Sequence, residues 1–118
     1  MEHADKILLL KLAVKVIKAD GLVKLAETDY LSELVAREGI ETSEAVAALN
    51  SAMVEHTADL VAQLAESHSQ AAILNSLVAT MYADRVVDPA ERALLDSIAE
   101  EIGFPVEKLE GLVDAHRQ

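Results

Sequence analysis

The chain has 118 residues, no cysteine, 52% hydrophobic but only 3% aromatic residues, and a formal net charge of −11. That length supports one hydrophobic core and a single domain over 1–118, and a composition dominated by Ala, Leu and Val favours packed helices over a sheet. The missing thiols exclude disulfides and thiolate metal sites, while the negative charge excludes nucleic acid as a general partner and favours cations and basic protein surfaces.

The charge is unevenly distributed. Residues 1–24 carry five Lys against Glu2, Asp5 and Asp20, a net charge of +2, which leaves −13 for the other 94 residues. The first predicted helix runs from about Ala4 to Ala19 and is apolar around most of its circumference, apart from a narrow stripe of Lys11, Lys15 and Lys18. Such a helix belongs at the centre of a bundle, with the lysine stripe as its solvated edge. Its apolar run is too short to span a bilayer, is interrupted by Lys11 and Lys15, and has no small-residue cleavage site of the secretory type.

A second helix is expected from about Leu25 to Glu38, with Tyr30, Leu31, Leu34 and Val35 inward and Gly39 as its stop. A third, capped by Thr42 or Ser43, continues to about Glu66 and buries Val46, Leu49, Met53, Leu60 and Leu64. His56 and Asp59 lie one turn apart on it, but one imidazole and one carboxylate are a weak metal signal, and a packed or solvated histidine is the better reading. The fourth helix starts at Ser67 or Ser69 and carries Ile73, Leu74, Leu77, Val78 and Met81. The fifth opens with Asp88 as cap and Pro89 at its first position, and Gly103 closes it. Pro105 opens the sixth, with Val106, Leu109, Leu112 and Val113 inward. The expected fold class is therefore all-α, a single-domain helical bundle of about six helices.

The chain repeats itself. At a constant offset of 64 residues, Ala19, Asp20, Val23, Ala26, Glu27, Leu31 and Gly39 meet Ala83, Asp84, Val87, Ala90, Glu91, Leu95 and Gly103. A gapless match of this length between two helical hairpins indicates an internal duplication, with repeats at about 7–40 and 71–104. Each copy places an acidic turn between its two helices. Glu27 and Glu91 fall in the first turn of a helix, where a carboxylate is favoured by the exposed amides. Asp20 and Asp84 fall at helix C-termini, where the carbonyl dipoles disfavour a carboxylate and something must compensate. Either an Asx turn or the N-terminus of the following helix does so, or a hard cation held by Asp20 and Glu27, by Asp84 and Glu91, or by all four. An all-oxygen set selects Mg, Ca or Mn over zinc. The loop lacks the ligand spacing of an EF-hand.

On these residues, the helix ending Ala19-Asp20-Gly21, then Val23, Ala26-Glu27 and Leu31, with the second copy Ala83-Asp84 through Asp88-Pro89-Ala90-Glu91, the sequence resembles the tellurite-resistance TerB-like domains. These include the N-terminal segment of DjlA-type co-chaperones. The resemblance covers about residues 7–115, and Arg85 departs from it where copy one has Gly21. It implies an all-helical fold with internal two-fold symmetry, a cytoplasmic stress-response role with other stress-response proteins as partners, and metal chelation by acidic residues. Those residues map onto Asp20, Glu27, Asp84 and Glu91 here. Two functions remain open: a cation-binding scaffold or sensor, and a co-chaperone-like protein-interaction domain whose acidic residues are caps. No nucleophile stands with a base and an orienting partner, which argues against an enzyme. Ser97 lies inside the fifth helix rather than at its start, which argues against an acyl-carrier site.

Overall fold

The computed structural model describes residues 2–21, 25–83 and 87–116, with the side chains of Asp20, Ala26 and Glu27 outside that description. Among the described residues there are seven α-helices and no strand: α1 (His3–Ile17), α2 (Leu25–Arg37), α3 (Thr42–Val54), α4 (Thr57–Ala65), α5 (Gln70–Met81), α6 (Pro89–Ile102) and α7 (Val106–His116). A 3-10 turn, Lys18–Asp20, tightens the end of α1, and Gly21 follows it in the left-handed region at φ 80°.

As its apolar circumference requires, α1 lies at the centre. It packs against α2, α3, α4, α5 and α6, and Leu8, Leu9, Leu10, Leu12, Ala13, Val14, Val16 and Ile17 are all buried. Its lysine edge is only partly solvated. Lys11 Nζ lies 2.9 Å from Glu55 Oε2, whose carboxylate also accepts a 2.6 Å hydrogen bond from Ser51 Oγ. Those two bonds hold the Glu55 carboxyl below its ordinary pKa, Ser51 contributing most and Lys11 next.

The correspondence at the 64-residue offset extends beyond the two hairpins. At the same 64-residue offset, α1 and α5 end together (Ile17/Met81), α2 and α6 start together (Leu25/Pro89), and α3 and α7 start together (Thr42/Val106). Buried Leu9, Leu10, Ala13, Val14 and Ile17 meet buried Ile73, Leu74, Leu77, Val78 and Met81. Both second helices end in the same cap. Gly39 and Gly103 have φ of 69° and 74°. Ile40 N–H donates to Val35 O at 3.0 Å, and Phe104 N–H donates to Ala99 O at 2.9 Å. An L-residue strains at such φ, and the doubled bond satisfies carbonyls that the helix end would otherwise leave open.

The long third helix is two helices, and this accounts for seven rather than six. Glu55 and His56 are extended (ψ 142° and 141°), so α3 stops at Val54 and α4 starts at Thr57. On one straight helix, Leu60, Val61 and Leu64 would point roughly a third of a turn away from Ala45, Ala48 and Ala52. The break lets both sets face the core, where all six are buried. Val46 and Met53, expected inside, are 52% and 58% exposed, because small alanines rather than large residues meet α1. Val106, also expected inside, is exposed at the start of α7.

One expected cap is made differently, while Ser69 stands immediately before α5 as expected. Glu41, not Thr42 or Ser43, is the residue before α3. Ser67 Oγ and Ser69 Oγ donate to the two oxygens of Asp5 at 2.8 and 3.2 Å, tying the start of α5 to the start of α1. The Ser67 bond, with further bonds from the Glu2 amide and Ser69, depresses the Asp5 pKa despite some loss of hydration.

Candidate functional site

The sequence directs attention to the acidic turns. In the second copy, Pro89 opens α6 and Asp88 caps it, its Oδ1 accepting from Ala90 N–H at 2.8 Å, as the cap pattern requires. Glu91, in the same first turn, is 1% exposed, the most deeply buried charged residue among those described. It has the amides of the helix start close by, and their dipole favours its negative charge.

In the first copy, Asp20 is the last residue of the 3-10 turn. That turn packs against α6, and α2 packs reciprocally against α5. The copies are thus interleaved, each second helix lying on the first helix of the other copy. The neighbour of Asp20 and the neighbour of Glu91, Ala19 and Ala90, line one cavity of about 520 Å³ together with Leu94, Lys15 and Lys18. The lysines place positive potential on the cavity side, so a cation would be favoured only on the carboxylate side of the turn.

Of the four candidate ligands, Asp84 lies outside the described residues, as do the side chains of Asp20 and Glu27; only the Glu91 carboxylate is described. Among the described residues no group of three or more His, Cys, Asp or Glu side chains is placed to hold a metal ion. His56 and Asp59 gain no third partner: both are exposed at the entrance of α4. Oxygen donors together with a carboxylate already removed from water suit a hard cation. Ser97 is exposed within α6, away from any helix start, beside buried Ile98.

Sequence reasoning missed the charged bolts that fasten the helices. Besides Lys11–Glu55, Arg92 pairs with Asp96 at 3.0 Å along α6 and with Glu110 of α7 across a groove. The repeat gave no signal of the second pair, since Arg92 and Glu110 correspond to uncharged Thr28 and Val46 at the 64-residue offset.

Among the described residues, no helix is long and apolar enough to cross a membrane. No curated protein and no solved structure matches the chain. The family model described as tellurite resistance protein TerB matches residues 6–113, nearly the whole length and both acidic turns, so the chain belongs to the TerB family.

Proposed function

We propose that this chain is a non-enzymatic, cytoplasmic stress-response module of the tellurite-resistance type, which binds a divalent cation through its acidic turns and serves as a scaffold or sensor. The observation that carries the cation half is the burial of Glu91 in the first turn of α6, with α6 seated on the 3-10 turn that ends in Asp20. A carboxylate already out of water has less hydration to shed on meeting a hard cation. In this reading Asp20 and Glu27 act with Asp84 and Glu91 as ligands of Mg, Ca or Mn. The TerB family is not a known enzyme family, in keeping with the absence of a nucleophile–base pattern in the sequence.

The alternative is a protein-interaction domain whose acidic turn residues are structural, and the Asp88 cap on α6 favours it for that residue. Melting with and without metal separates the two. At a metal concentration ten times Kd, mass action contributes about 1.4 kcal/mol, or roughly 5 °C for a chain of this size. Replacing Asp20→Asn and Asp84→Asn together keeps side chains able to make Asx turns but removes the charge, and should abolish the metal-dependent shift. If millimolar Mg, Ca and Mn all leave the melting temperature of the unaltered protein unchanged, the cation reading fails and the interaction domain stands.

A further inference from the structure

The two copies differ most in the groove between their second and third helices. In copy two the groove between α6 and α7 is lined by Arg92, Asp96, Glu100 and Glu110, and the Arg92–Glu110 ion pair spans it. At the same offset, copy one has Thr28, Ser32, Ala36 and Val46. Its groove between α2 and α3 is a cavity of about 480 Å³ lined without a single charged residue, Leu31, Val35, Ile40 and Leu49 forming the floor and walls. It continues past Leu31 and Leu49 into a second hollow of about 270 Å³ beside Ile17 and Met53. The outer wall, α3, carries one charge in 13 residues, Glu44, and that is turned aside to His3 Nε2 at 2.6 Å. A helix apolar on both faces is ordinarily covered on both. Here α1 covers the alanine face, while Val46 and Met53 stand half exposed.

We propose that the α2–α3 groove is a docking site for an amphipathic helix of a partner protein, one that presents an apolar face flanked by Lys or Arg. The length fits: α3 is 13 residues, or about 20 Å, enough to seat three or four anchors at i, i+3, i+4 and i+7 spacing. The charge decides the flank. The lining is neutral, but Asp29 and Glu33 are exposed on α2 and Glu41 is exposed at the Ile40 end of the groove. Opposing them are Lys18 at the far end, its Nζ 2.9 Å from Met53 Sδ, and Arg37, which lies over the Tyr30 ring and beside Glu38. A second copy of this chain would bring −11 against −11, whereas a basic helix is attracted both locally and by the whole molecule.

The inference concerns a different surface from the acidic turns, so stripping divalent cations with a chelator should leave it intact even where the cation reading holds. The probe is a fluorescein-labelled peptide of about 14 residues, Leu along one helical face and Lys on the flanks, followed by anisotropy at physiological salt. Saturable binding is expected, weaker by about tenfold or more when the flanking Lys become Glu or when the Leu are scattered off one face. Thr28→Arg with Val46→Glu installs in copy one the ion pair that copy two already has. This double variant should keep its helicity and melting temperature and lose the peptide by a similar factor. Met53→Ser, at an exposed site that makes little demand on folding, should weaken binding on its own. Undiminished binding to the double variant, or equal binding of the scattered-Leu peptide, would overturn the proposal, since either means that bulk charge alone holds the probe. Concentration-dependent dimerisation lost in the double variant would overturn it in favour of a second copy.

Discussion

Copy one and copy two share a backbone plan and divide on what fastens it. In both, a central helix runs into an acidic turn, a second helix ends in a glycine cap, and a third helix packs back on the first. In copy two the second and third helices are joined by a charged pair across their groove, Arg92–Glu110. In copy one the charged pair lies elsewhere, Lys11 on the first helix reaching Glu55 just past the third, and the groove between second and third helices is left apolar. The corresponding grooves of the two copies thus differ in chemistry. Sealing one with charge while clearing the other allows them to diverge without touching the shared core.

The sharpest way to break the comparison is to test whether the cores are in fact equivalent. Leu10 and Leu74 occupy the same offset and both are fully buried, so Leu10→Ala and Leu74→Ala should each cost about 2–5 kcal/mol in urea unfolding. If the copies are equivalent, the two losses agree to within about 1 kcal/mol, whereas a markedly larger loss at Leu10 would make α1 alone the keystone.

Next come the caps. Gly39→Ala and Gly103→Ala meet nothing within 4 Å of the new Cβ, so the cost is backbone strain only, about 1–2 kcal/mol, and should be the same in both copies. A difference would show that one cap has become softer than its twin.

The smallest effects belong to the charged pairs, which are partly exposed and screened. Glu110→Gln and Glu55→Gln should each cost well under about 1 kcal/mol at neutral pH. Glu55 also carries a pH dependence. Because the folded-state pKa of Glu55 is lowered, its contribution is present above the unfolded-state pKa and lost as pH falls through the folded value. The same holds for Asp5, held down by Ser67. Melting temperature should therefore fall below about pH 4.5, and Glu55→Gln should flatten part of that fall. An unchanged acid limb in Glu55→Gln would remove the Lys11–Glu55–Ser51 cluster from the account.

Local chemistry made much of this legible in advance. The apolar circumference of α1, the Asp88-Pro89 start of α6 and the glycine stops after Arg37 and Ile102 need only a few neighbouring residues to act, and each stands where its residues place it. The acidic turns were visible as a repeat, yet how four carboxylates stand to one another depends on how two hairpins interleave, which spacing along a chain does not encode. The third helix shows the limit most directly. As one straight helix, Val46, Leu49, Met53, Leu60 and Leu64 share a face, and burying the largest residues is the natural choice. Tertiary packing chose otherwise: Ala45, Ala48 and Ala52 let α3 approach α1, and Lys11, fixed on the central helix, engages Glu55 where the chain breaks. That choice left Val46 and Met53 outside and opened the apolar groove, because the exposure of a side chain is set by which neighbour arrives on the other side of its helix.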